Sequence, residues 1–141
     1  MKRYFMMICM ALFLGMLLIP SGTAAFDPVQ LQMLKTTNNC QSCDLSGADL
    51  HDADLKNADL SGANLNGANL SKSNLSGVTL IMANLNGTSL NGADLSEAKL
   101  ITANLSGANL NRIKLSKADL GEVTWTDGST CKEDSIGECK K

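Results

Sequence analysis

Four cysteines outside the apolar N-terminal run could do chemistry. Cys40 and Cys43 are spaced Cys-x-x-Cys, and Cys131 and Cys139 lie near the end of the chain. Cys-x-x-Cys suits a thiol–disulfide redox pair or half of a zinc site. A redox centre calls for a βαβ setting, and zinc needs two further ligands. Neither accompanies Cys40 and Cys43 in the sequence, so a structural disulfide is the better reading in an oxidising compartment. The one histidine, His51, stands in a turn position without a nucleophile partner and reads as a surface residue. Asp44, Asp49, Asp52, Asp54 and Asp59 suggest a cation site by number alone. The glycines recur at a fixed interval and open no helix, so they are not phosphate cradles. No catalytic, cofactor-binding or metal-binding constellation emerges, and the chain does not read as an enzyme.

The element that must position these residues is a repeat. Leucine stands at every fifth position from Leu45 to Leu120, sixteen times without a miss. Cys40 holds the same phase before the run and Trp125 after it. In an α-helix, leucines five apart would scatter around all sides. In a flat strand, with its side-chain period of two, they would alternate faces. One buried face survives only if the chain turns a corner in each repeat. Two residues before each leucine stands a small residue, alanine in eleven of the sixteen repeats and otherwise Cys43, Ser73, Val78, Thr88 or Ile113. Strand alternation points it inward with the leucine. The other positions are polar or glycine, as in Ser46-Gly47, Asn66-Gly67 and Asn91-Gly92, which are turn dipeptides. Each repeat therefore reads as a short bridge and a tight turn, with stacked coils about 4.8 Å apart.

Repeats such as Ala-Asp-Leu-Ser-Gly, Ala-Asn-Leu-Asn-Gly and Ala-Asn-Leu-Ser-Gly resemble the pentapeptide repeat family over residues 41–125. The resemblance implies an all-β fold, a right-handed quadrilateral β-helix with four repeats per coil. Sixteen repeats then make about four coils, a rod on the order of 20 Å long. Aromatic residues make up only 4% of the chain, so leucine and alanine must fill the core.

The remaining segments flank this β-helix of residues 40–125. Residues 1–25 read as a signal peptide. Lys2 and Arg3 precede an uncharged apolar run from Tyr4 to Ile19, and Thr23-Ala24-Ala25 offers small residues for cleavage before Phe26. The run is short for a bilayer span, which needs about 20 residues. Cys9 lies inside it, which argues against a lipoprotein. Residues 26–39 read as a capping helix, with Asp27 at the N-cap, Pro28 at N1 and Gln30 completing a capping-box-like pattern. Val29, Met33 and Leu34 are expected to lie over the open end of the coil, whose exposed edges need covering. Residues 126–141 read as a C-terminal cap closed by a disulfide. A disulfide joins Cα atoms about 4.4–6.8 Å apart. A rod between the two cysteine pairs therefore predicts local bridges, Cys40–Cys43 and Cys131–Cys139. Trp125 is expected to sit as a lid on the column Leu45, Leu65, Leu85 and Leu105.

The outer surface is expected to be polar with one exception. Asp44, Asn64, Asn84 and Asn104 fall one coil apart and suggest an amide ladder. The acidic residues of the first coil fall on different sides and read as a solvated rim. Ile81 and Ile101 stand at the first turn position one coil apart, with Met82 and Thr102 beside them. This apolar strip is the candidate contact for a protein partner or a second copy.

These features predict a non-enzymatic, exported protein, a rigid structural or interaction module of the bacterial periplasm or exterior. The resemblance also allows the thylakoid lumen of a cyanobacterium. The alternative that it implies is a DNA-mimicking binder of type II topoisomerases, of the quinolone-resistance kind. Against it, loss of Lys2 and Arg3 would leave ten basic residues against fourteen acidic ones, a net charge of −4. Duplex DNA carries one charge per about 1.7 Å, so a comparable rod would need about a dozen. Direct nucleic-acid binding lacks exposed aromatics for stacking. Membrane binding after cleavage lacks a basic amphipathic face.

Overall fold

The computed structural model describes residues 26–141, so the expected signal peptide of residues 1–25 lies outside the described residues. The chain winds into four-residue corners joined by single-residue bridges. In every repeat the leucine carbonyl accepts from the N–H three residues on, as from Ala48 to Leu45 at 3.0 Å. The residue two after the leucine takes positive φ, from Gly47 at 69° to Glu122 at 56°. That combination defines a type II turn. Glycine fills seven of these sixteen positions, and the other nine are forced into a conformation that costs an L-residue strain.

The residue before each leucine forms the bridge. Fourteen parallel bridges join residue i to residue i+20, from Asn39↔Asp59 to Asn104↔Thr124. Four bridges per turn make the coil four-sided. Asp44, Asp49, Asp54 and Asp59 begin the first, second, third and fourth sides. Aspartate or asparagine at this place does a second job. Its side chain accepts the N–H two residues on and so braces the corner, as Asp44 Oδ1 does for Ser46 at 3.1 Å and Asn104 for Ser106 at 3.0 Å.

The inward phase holds. Fourteen of the sixteen leucines are buried, as are Cys40, Cys43, Val78 and Val123; Leu110, Leu115, Ile113 and Trp125 are half-buried at the last coil. Two polar side chains in the core bond within it: Ser73 Oγ donates to Leu70 O at 2.7 Å and Thr88 Oγ1 to Leu65 O at 2.8 Å.

Helix α1, Pro28–Thr37, crosses the N-terminal mouth. Asp27 caps it by accepting the Val29 N–H at 2.8 Å, and Asn38 ends it in the left-handed conformation. Two expectations are corrected here. Gln30 does not close a capping box; its side chain reaches out and accepts the Asp44 N–H, while Asp44 O accepts from the Asp27 N–H. The helix thus covers the first side's rim as a strand would. Val29 and Met33 face outward, 60% and 41% exposed, and Leu34 alone of the three is buried. Phe26 and Leu31 share the covering with it. Residues 31 and 34 lie on one helical face, and 29 and 33 on another. At the other end the tail folds back antiparallel, through Thr124↔Thr130 and Asp119↔Ile136.

The corner geometry ranks two glycine substitutions. Gly67→Ala should cost roughly 1–2 kcal/mol in backbone strain, because no atom lies within 4 Å of the added Cβ. Gly77→Ala should cost more, since its Cβ would collide with Asn57 Oδ1 and the amide must swing away. Urea unfolding of both variants checks the order.

Candidate interaction surface

Side chains that leave the coil stack in columns one coil apart. On the first side Asn64 donates to Asp44 at 3.1 Å and Asn84 to Asn64 at 3.2 Å, two rungs of the expected ladder. Sequence reading missed a second ladder at the adjoining corner, where Asn66 donates to Asn86 Oδ1 at 3.0 Å and Asn86 to Ser106 O at 3.0 Å. Asparagine recurring at a fixed turn position was its available signal. Asn69 and Asn74 likewise donate to Asp49 and Asp54. These amides are committed to the scaffold.

The strip of Ile81, Met82, Ile101 and Thr102 lies at the corner after the fourth side. The two isoleucines are half-buried; Met82 is 68% exposed and Thr102 is exposed. The strip departs from the repeat in two ways at once, and like seven other corners it sets an L-residue at the left-handed position. Thr79 and Lys99 replace the aspartate or asparagine that would brace the corner. Isoleucine replaces a polar first turn residue. Met82 at φ 58° and the β-branched Thr102 at φ 57° occupy the left-handed position, where glycine is cheapest. Thr102 Oγ1 offsets part of this by donating to Ile101 O at 2.7 Å.

The cysteines close the two ends. Cys40 and Cys43 are joined with Cα atoms 5.3 Å apart, and Cys131 and Cys139 with Cα atoms 5.1 Å apart. The first bridge lies wholly inside the coil, and the second ties the tail at Cys131, which is buried. Trp125 packs half-buried against the core, one coil beyond Leu105.

The acidic residues of the first coil are spread over its sides, and His51 is exposed beside Asp52, 2.9 Å away. Among the described residues no group of three or more His, Cys, Asp or Glu is placed to hold a metal ion. Hydrogen bonds hold several carboxyls below the usual value of 3.8. For Asp59 they come from the Ser61 side chain, Gln41 and the Ser61 backbone; for Asp44 they come chiefly from Ser46. Asp134 is lowered chiefly by Lys140. Among the described residues no helix is long and apolar enough to cross a membrane.

The pentapeptide repeat profile matches residues 43–80 and 83–121 in eight copies, more than half of the chain. The chain belongs to the pentapeptide repeat family. A pentapeptide repeat protein from Nostoc PCC 7120 is 40% identical; the match covers 64% of this chain and 76% of that one, with a TM-score of 0.61. A pentapeptide repeat protein of the Arabidopsis thaliana thylakoid lumen is 26% identical over 74% of this chain and 86% of that one, with a TM-score of 0.43. QnrB1, a plasmid-mediated fluoroquinolone resistance protein, is 24% identical over 60% of this chain and 51% of its own, with a TM-score of 0.38. No curated protein sequence matches the chain. The Nostoc likeness supports the four-sided coil already described, and the other two carry no argument about function.

Family membership leaves acid sensitivity to the individual corners. Asp59 has its folded-state pKa depressed, so its stabilising contribution is present above about pH 4 and is lost as pH falls through the folded value. Asp59→Asn keeps an Oδ1 acceptor for the Ser61 N–H but cannot titrate. Its melting temperature should fall less than that of the wild type between pH 5 and pH 2, as followed by circular dichroism.

Proposed function

We propose that this is a non-enzymatic pentapeptide repeat protein exported to an oxidising compartment, where it serves as a rigid interaction module. The observation that carries the reading is the placing of the four cysteines. Each pair lies at disulfide distance at its own end of the coil, where a solenoid without such closure would fray. The basic, apolar and small-residue order of residues 1–25 supports the same compartment. Rigidity follows from the unbroken backbone ladder on all four sides.

Binding falls to the places where the scaffold is not using its own side chains. The strip of Ile81, Met82, Ile101 and Thr102 is the lateral contact in this reading. Its occupant is a protein with a small apolar ridge, because the strip offers little hydrogen bonding and only a narrow surface. It joins exposed apolar area to two corners that lack the usual aspartate or asparagine brace.

Cell fractionation followed by intact-mass measurement checks the compartment. The expected chain begins at Phe26 and is lighter than its reduced form by the four hydrogens of two disulfides. A full-length, reduced, cytoplasmic chain would overturn export and restore the topoisomerase reading. For the strip, Ile81→Ser with Ile101→Ser should leave the fold intact by circular dichroism and abolish affinity capture of an envelope partner. Undiminished capture removes the strip from the proposal.

A further inference from the structure

Among the described residues both caps leave the second side of the coil and the body of the third uncovered. At the N-terminal end α1 covers the first side through Asp27 and Gln30, and the incoming chain covers the fourth, where the Asp59 N–H donates to Asn38 O at 3.0 Å. At the C-terminal end the tail covers the fourth side, with the Leu120 N–H donating to Ser135 O at 2.8 Å. It covers the first through the Cys131 N–H, which donates to Val123 O at 2.9 Å. Among the described residues the second side has no such cover at either end, and the third is covered only at its last corner, where Asn38 Nδ2 donates to Lys56 O at 2.8 Å and Gly137 of the tail lies against Leu115 O and Lys117 N. The backbone N–H and C=O groups of Asp49 and Asp54 have no hydrogen-bond partner among the described residues. The same is true of the N–H groups of Leu110, Arg112, Leu115 and Lys117 at the far end.

The two bare rims carry opposite charge. Asp49, Asp52 and Asp54 line the N-terminal one, all three exposed, with a single lysine, Lys56, among them and His51 against Asp52. Arg112, Lys114 and Lys117 line the C-terminal one, and all are exposed. Lys114 and Lys117 each already pair with a carboxylate one coil below, Asp94 at 3.1 Å and Glu97 at 3.3 Å. A carboxylate above Lys114, at the phase that Asp54 holds, would extend an alternation that its column has begun; the phase of Lys117 is held by Asn57. The apolar surfaces match as well. The outer face of α1 presents Val29 and Met33, and the C-terminal mouth is half open over Leu110, Ile113 and Leu115.

We propose that the C-terminal mouth of one copy receives the N-terminal helix and acidic rim of a second copy, so that the protein associates head to tail. The contact is heterologous: each copy keeps one free end of each kind, and association continues into short filaments unless a ring closes. Opposite charge chooses this pairing over mouth to mouth, which would set three cations against three. The proposal names a partner for the interaction module above and rests on that reading only in treating the rod as a binding protein. It does not depend on export or on the isoleucine strip.

Two charge-reversed chains test it. One carries R112E, K114D and K117E; the other carries D52K and D54K. Acidic residues already occupy the positions of Lys114 and Lys117 one coil below, Glu122 takes the same positive φ as Arg112, and Lys72 stands one coil above Asp52 with the same positive φ; Lys114 holds the phase of Asp54, where D54K gives up the bonds from the Lys56 N–H and Asn74. Circular dichroism confirms folding of each. In sedimentation velocity the oxidised chain of residues 26–141 should show a weight-average coefficient that rises with concentration. The rise should disappear at about 1 M salt, where the Debye length is roughly 3 Å. Each variant alone should sediment as a monomer at every concentration, and an equimolar mixture of the two should associate again. A wild-type monomer throughout, or variants that associate as the wild type does, would overturn the proposal and leave export and the lateral strip untouched. So would a mixture that stays monomeric.

Discussion

Everything in this molecule depends on one residue in five taking positive φ. That residue turns the corner, and the corner makes a five-residue repeat compatible with a single buried face. Nine of the sixteen corners place an L-residue there against its preference. The cost is met because every corner is held from two directions and most from three. The leucine carbonyl closes the turn and the coil above or below fixes its height, while an aspartate or asparagine before the leucine braces twelve of the sixteen corners. No corner could adopt its conformation in isolation, so the solenoid is cooperative along its axis even though each repeat touches only its neighbours.

The corner also sets what the core can contain. A four-sided coil with five residues per side leaves an interior only as wide as facing leucines and alanines. That is why the aromatic content is low and why threonine and serine inside the coil must return their hydroxyls to nearby carbonyls. A core of this shape is complete along its length but open at both mouths. The difficult physical problem is therefore at the ends, where strand edges and the last leucines meet water. The chain solves it twice by different means, with a helix whose Gln30 acts as a substitute strand and with a disulfide-tied tail that returns antiparallel.

Where the period of five reaches, the sequence was legible. Phase alone told which way Leu80, Ala83, Cys40 or Trp125 points, because the backbone register leaves each position one direction. Asp27 and Pro28 gave the helix start, since capping is local chemistry. The rotation of α1 about its axis was not legible. It is fixed by docking on the mouth, so Val29 and Met33, expected over the open end, face outward while Phe26 and Leu31 pack against it. Gln30 was misread for the same reason: its partner, Asp44, is fourteen residues away in sequence. The Asn66–Asn86 ladder was hidden by its own regularity, since a turn asparagine reads as turn chemistry until a second coil is placed over it. The strip of Ile81 and Ile101 was visible as a break in pattern, and the missing corner braces at Thr79 and Lys99 emerged only with the geometry.

A surface built by repetition has little information in its regular parts. The asparagine ladders bond to each other, and each bracing carboxylate commits one oxygen to its own corner, so along the sides the regular positions offer a partner little that differs from coil to coil. Recognition must come from departures, and the chain has two kinds. The isoleucine strip departs at the side of the rod, at the corner after the fourth side. The bare rims depart at its ends, on the second and third sides. These places do not overlap, so a lateral partner and an axial neighbour can be held at once. An axial neighbour would also set strips at a regular interval along a filament. A weak lateral contact, repeated at that interval, would then gain from effective concentration what a single narrow strip cannot supply.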